Sequence, residues 1–204
     1  MDAPFAASVR SCVRQDFDVA ERKLDSITAF RERFPEVKRV MIDGTERPIQ
    51  RPIDPKQQTL NYSGKKKQHT RKHLAAVDET KRVIMLSKAR EGKLHDKRFH
   101  DQDDIAGNVP DEIPIEVDLG FQGLQNQYEN IHLPHKKPRG GALSKAQKQE
   151  NRCLSQSRVI CENAFAGVKR YNAVSGVYRN RIEGFDDHLM LTSAGLWNFY
   201  LMTA

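Results

Sequence analysis

The sequence predicts an α/β or α+β fold rather than a helical bundle. Three observations carry this. Two short apolar runs, residues 37–43 and 113–118, each end in an aspartate closely followed by glycine. Two further apolar runs, 73–77 and 82–86, flank the polar stretch Asp78-Glu79-Thr80-Lys81, the pattern of a hairpin. Long segments near both ends carry apolar residues at helical spacing.

Residues 17–34 read as a helix, because Phe17, Ala20, Leu24, Ile27, Phe30 and Phe34 recur at that spacing and Pro35 ends it. A strand follows over 37–43. Residues 45–62 hold Pro48, Pro52 and Pro55 and are expected to be loop or irregular edges. Residues 68–78 and 81–87 form the hairpin. After Gly92 comes a polar helix over 95–106, with His95-Asp96 at its cap, then the second acid-terminated strand. Residues 134–150, with Pro134, Pro138, Gly140, Gly141 and four lysines, make a basic loop leading into a helix over 145–171. A strongly apolar helix over 185–202 closes the chain, with Trp197 and Phe199 expected in the core.

The chain has 204 residues and a mass of 23.4 kDa, enough to bury a substantial core. No apolar run approaches the roughly 18 residues of a membrane span, and no apolar signal core opens the chain, so no membrane partner is expected. Cys12, Cys153 and Cys161 are odd in number and form no CxxC pair, which argues against a disulfide framework or thiolate zinc site and for a reducing, cytoplasmic compartment.

The net charge of +7 conceals blocks. Residues 43–100 carry 15 basic and 7 acidic groups, residues 101–118 carry 7 acidic and no basic ones, and residues 119–170 carry 9 basic and 3 acidic ones. Such a chain can present a positive surface to phosphates while carboxylates gather elsewhere. A solvated surface with loops of either sign is the plainer reading of charge alone.

Asp43 and Asp118 are placed at the rim of a sheet, where ligands bind in α/β folds. A turn-initiating aspartate before glycine is the ordinary alternative. A third acid, Glu162, lies among apolar neighbours on the long helix, where a carboxylate needs a metal or a partner such as Arg158 one turn away.

Four stretches together resemble the DDE-superfamily transposases of bacterial insertion sequences, in the branch related to Harbinger-like endonucleases. They are Asp43-Gly44-Thr45-Glu46-Arg47-Pro48 with Arg51-Pro52; residues 62–72, with Lys65-Lys66-Lys67; Asp118-Leu119-Gly120-Phe121-Gln122-Gly123; and Ser157-Arg158 through Glu162, Phe165 and Lys169. The segments Gly92-Lys93-Leu94-His95-Asp96 and Ala194-Gly195-Leu196-Trp197-Asn198-Phe199 also look like the family. Arg158, Glu162 and Lys169 match the Arg, three residues, Glu, six residues, Lys spacing of related enzymes. Ser155 stands where those enzymes carry tyrosine.

The resemblance implies an RNase H-like fold, a mixed central sheet flanked by helices, over residues 37–204, with residues 1–36 as a helical lead. It implies that Asp43, Asp118 and Glu162, 75 and 44 residues apart, are catalytic carboxylates holding two Mg²⁺ ions, with Mn²⁺ as substitute. Two such ions activate the attacking oxygen and stabilise the leaving one in phosphodiester cleavage. It further implies double-stranded DNA as partner, at element ends and target, with Lys65, Lys66, Lys67, His69, Arg71, Lys72, Arg158 and Lys169 contacting it, and a homodimer as assembly. A cluster of converging anions should raise at least one carboxylate pKa. The short front end leaves a second reading, a truncated remnant that binds DNA without cutting it.

Overall fold

The computed structural model describes residues 19–204. Helices α1 (Ile27–Arg33), α2 (Pro55–Asn61), α3 (Asp96–Asp103), α4 (Lys145–Val168), α5 (Asn172–Ser175) and α6 (Phe185–Thr203) surround strands β1 (Val40–Pro48), β2 (Tyr62–Ser63), β3 (Gln68–Asp78), β4 (Val83–Leu86), β5 (Arg90–Glu91), β6 (Ile115–Val117) and β7 (Ile131–His132). The sheet runs β2-β3-β1-β6-β7, with β4 and β5 also pairing with β3. The β1–β3–β4 meander is antiparallel, and β6 and β7 add in parallel. This mixed α/β arrangement is the one expected for an RNase H-like fold.

The sheet is buried on both faces, which is why its central strands read as near-continuous apolar runs. Strand alternation sends Val40, Ile42, Leu74 and Ala76 to one side, where they pack with Phe30 and Phe34 beside α1 and with Phe99 of α3. Met41, Ala75 and Val77 point to the other side, against Cys161, Ala164 and Val168 of α4 and Met190, Ala194 and Trp197 of α6. The two long helices are fastened to each other and to the hairpin. Gly167 of α4 lies against the Trp197 indole, whose Nε1 donates to the Lys81 carbonyl at 2.8 Å. The Asn198 side chain both donates to and accepts from Val83 of β4, each at 2.9 Å.

Local signals set most boundaries. Ser26 caps α1 by accepting from the Ala29 amide. Asp54 caps α2, which has Pro55 in its first turn. Ser144 and Gln147 form a capping box that starts α4.

Three expectations are corrected. The helix assigned to 17–34 is helical only from Ile27. Its first two residues lie outside the described ones, and around Glu21 the chain is extended on the open edge of β4 (Glu21 amide to Ile84 carbonyl, 2.9 Å; Leu86 amide to Glu21 carbonyl, 2.8 Å). Residues 45–62 are not mainly loop. β1 continues through Gly44 to Pro48 because β3 pairs with it residue by residue, from Val40–Asp78 to Pro48–Thr70, and α2 occupies Pro55–Asn61. Trp197 is core, but Phe199 is exposed. Two residues apart on a helix is roughly half a turn, so both cannot face the sheet. Among the described residues no helix is long and apolar enough to cross a membrane.

Candidate active site

β1 and β6 run in parallel with Ile42 opposite Val117. The next residues are Asp43 and Asp118. Alternation turns both away from the Ile42–Val117 face and toward α4. Each aspartate is fixed by a glycine that follows it. Asp43 Oδ1 accepts from the Gly44 amide at 2.7 Å, and Asp118 Oδ1 accepts from the Gly120 amide at 2.7 Å. This leaves the two Oδ2 atoms facing Arg158, whose Nη2 lies 3.9 Å from that of Asp43 and 3.8 Å from that of Asp118.

Burial is the main reason the Asp43 carboxyl is pushed up to about 6. The Gly44 amide and Arg158 oppose that rise, while Asp118 and Asp96 add to it. The rise expected from converging anions is present at Asp43, but burial comes first among its causes and the neighbouring anions only add to it. The same burial, reinforced by the negative charge of Asp43, raises the Cys161 thiol well above its ordinary value, so that cysteine is an inert core group rather than a nucleophile.

α4 and its capping residue Lys169 align Arg158, Glu162 and Lys169 along one stripe, since their spacing keeps them within about 40° around the axis. The stripe's two cations reach β1. Arg158 spans the aspartates, and Lys169 Nζ donates to the Glu46 carbonyl at 3.0 Å. Glu162 lies between them along the stripe and is exposed. Among the described residues no group of three or more His, Cys, Asp or Glu is arranged to hold a metal ion. The structure thus brings Asp43 and Asp118 together and leaves Glu162 on the neighbouring helix surface.

Asp96 carries no functional assignment from its sequence context, yet the fold brings it to this place. His95 occupies the cap position of α3 without a side-chain capping bond, and Asp96 turns inward. Its Oδ1 accepts from Lys72 Nζ at 2.9 Å. A Cβ on Gly44 would lie 3.0 Å from Asp96 Oδ1, and one on Gly120 would lie 2.9 Å from Asp96 Oδ2. The local signal, an acid in the first turn of a short helix, is that of an ordinary helix start. Only the fold shows what it touches.

The cations assigned to DNA part into two groups. Lys65, Lys66 and Lys67 are exposed in the turn before β3. Lys66 and Lys169 line a notch of about 200 Å³ together with Gln68 and Ser175. The Lys169 ammonium is held below its usual range, first by burial and then by the charge of Lys66. By contrast, Lys72 is buried and committed to Asp96 and the Leu94 carbonyl. Arg71 donates to the Ala89 carbonyl and pairs with Asp186, and the His69 ring packs edge-on against Tyr62. The loop holding Lys136, Lys137 and Arg139 is exposed, and Lys136 reaches Gln122.

Residues 42–198 match a family model described as DDE superfamily endonuclease. The chain is also 34% identical over 163 residues to a probable transposase for insertion sequence element IS702 from Microchaete diplosiphon. That alignment covers 79% of this chain and 57% of the relative, so the chain spans little more than half the length of the curated relative it matches. No solved structure is matched.

Proposed function

Because the chain belongs to the DDE superfamily of endonucleases, we propose that it is the nuclease core of an insertion-sequence transposase, cutting DNA phosphodiesters at element ends and joining them to target. The observation that carries this reading is the parallel register that sets Asp43 and Asp118 side by side with Arg158 between them.

A divalent cation suits the paired aspartates. Both are hard oxygen donors of the kind Mg²⁺ prefers. Burial, with the charges of Asp118 and Asp96 adding to it, holds the Asp43 carboxyl up at about 6, and a guanidinium is already drawn between the two free oxygens. Asp43 and Asp118 would hold the metal, with Glu162 contributed from the α4 stripe. When bound, Mg²⁺ or Mn²⁺ would supply Lewis acidity and an activated water or 3′-hydroxyl.

The remaining roles fall to the chain itself. The Gly44 and Gly120 amides fix one oxygen of each aspartate, so the other points outward without a search over rotamers. Arg158 neutralises the pair in the free protein and turns to a phosphate oxygen once DNA enters. Lys66 and Lys169, across their shared notch, hold a neighbouring phosphate and set register without reading bases. Lys65 and Lys67 extend that contact along the backbone. In this reading the acids act at the scissile bond and the cations hold the backbone beside it.

The test is nicking of supercoiled DNA carrying an element end, with Mg²⁺ or Mn²⁺ added. Asp43→Asn, Asp118→Asn and Glu162→Gln should each abolish it. Wild-type nicking in any one of them removes that residue from the site. DNA binding with no metal-stimulated cleavage by the unsubstituted chain would support the non-cutting remnant instead.

A further inference from the structure

We propose that Asp96 is a positioning residue for the two aspartates, a spacer clamped by Lys72 that sets the gap between the Asp43-Gly44 and Asp118-Gly120 turns. The proposal rests on the reading of Asp43 and Asp118 as the metal-binding pair and adds a residue to it.

The geometry is specific. The Asp96 carboxylate lies where side chains on Gly44 and Gly120 would otherwise project, with one oxygen toward each glycine. Gly44 has no positive φ, and Gly120 is not among the positive-φ glycines either. Backbone freedom therefore does not explain glycine at these positions, whereas room for Asp96 does. A Cβ at Gly120 would also meet Asp118 Oδ1 at 2.7 Å, the oxygen that the Gly120 amide holds.

Lys72 keeps the spacer in place. It projects from β3, paired across from Glu46, and its ammonium contacts Asp96 Oδ1 at 2.9 Å, the Leu94 carbonyl at 2.8 Å and Glu46 Oε1 at 3.9 Å. Glu46 is itself held by the Thr70 hydroxyl, which donates to its Oε2 at 2.7 Å. The start of α3 is thereby tied to the sheet beneath the site. Outer groups of this kind, acting through the ligands they orient, typically change metal affinity or activity about 10–100-fold when removed.

The experiment measures Mn²⁺ affinity by calorimetry in the absence of DNA, together with the Mn²⁺ concentration needed for half-maximal nicking and metal-free binding to duplex DNA. Asp96→Ala and Gly120→Ala should weaken both metal measures by about tenfold or more, with metal-free DNA binding unchanged. Asp96→Asn keeps the shape and an acceptor for Lys72, and should stay within about threefold of the parent. Wild-type Mn²⁺ affinity in Asp96→Ala overturns the proposal, and so does an Asp96→Asn variant as weak as Asp96→Ala. Where Asp96→Ala does not fold, the double variant Asp96→Ala with Lys72→Met removes the stranded ammonium. The same loss is expected there, and restored affinity overturns the spacer role. Asp43→Asn separates the two readings. If it loses Mn²⁺ binding and nicking while Asp96→Ala keeps both, only the spacer falls. If it keeps both, the proposed active site falls.

Discussion

Asp43 within β1 and Asp118 just past β6 each lie one residue beyond the parallel Ile42–Val117 pair. Each is locked by a following glycine amide at 2.7 Å and faces one guanidinium with its other oxygen. The consequences of this arrangement can be measured.

Proton and metal should compete at Asp43. Its carboxyl is raised from 3.8 to about 6, so Mn²⁺ affinity should be flat above pH 7 and fall below about pH 6, by up to about tenfold per pH unit for one displaced proton. In the metal-free protein the same shift acts on stability. The stabilisation from protonated Asp43 is full below the unfolded value near 3.8 and is lost as pH rises through 6. Asp43→Asn should therefore be more stable than the parent at pH 8, by up to about 3 kcal/mol, with the difference vanishing below pH 4. Urea unfolding at both pH values checks this.

Arg158 should oppose metal while helping DNA. Removing its charge, about 4 Å from two carboxylates, should tighten Mn²⁺ binding in Arg158→Met by roughly three- to tenfold and slow nicking at saturating metal. Calorimetry and single-turnover nicking read the two effects separately. Weaker metal binding in this variant would show that Arg158 organises the aspartates rather than competing for them.

The lysines should divide by their surroundings. Lys66→Met and Lys169→Met should each lower the slope of log affinity for duplex DNA against log salt by about 1, as expected for loss of one phosphate contact. Lys72→Met should leave the slope unchanged, because its ammonium is spent on Asp96 inside the protein. Fluorescence anisotropy across a salt series measures all three.

The joint between α4 and α6 should not tolerate a methyl group. A Cβ at Gly167 would lie 2.3 Å from Trp197 Cε3. Gly167→Ala should therefore cost about 1–3 kcal/mol by overpacking, seen as a lower urea midpoint. Such a loss would arise without any change at the acids.

The apolar starts of β1 and β6, each followed by an aspartate, and the long helix were legible in the sequence because each is signalled locally, although β1 runs on past Asp43 to Pro48. Val40-Met41-Ile42 and Ile115-Glu116-Val117 are apolar enough to be buried, the aspartates follow directly, and apolar residues recur at helical spacing along α4. The extension of β1 through Glu46 and Arg47 was not legible. Three nearby prolines suggest a loop, and only an 11-residue partner strand overrides them. Nor was the extended path around Glu21, which follows from an open edge on β4 and not from its own residues.

Thus the order of elements, the aspartate after each of two short apolar runs, and the stripe of Arg158, Glu162 and Lys169 follow from the chain's own periodicity and punctuation. Which charges meet does not. Lys72 and Lys66 look alike in one basic run, yet one is buried against Asp96 and the other lines an open notch beside Lys169. Likewise Asp96, a helix start by its neighbours, lies between the glycines that follow Asp43 and Asp118. Local preferences act over a turn or a strand. Ion pairs and close packing depend on distances that exist only once the sheet has closed.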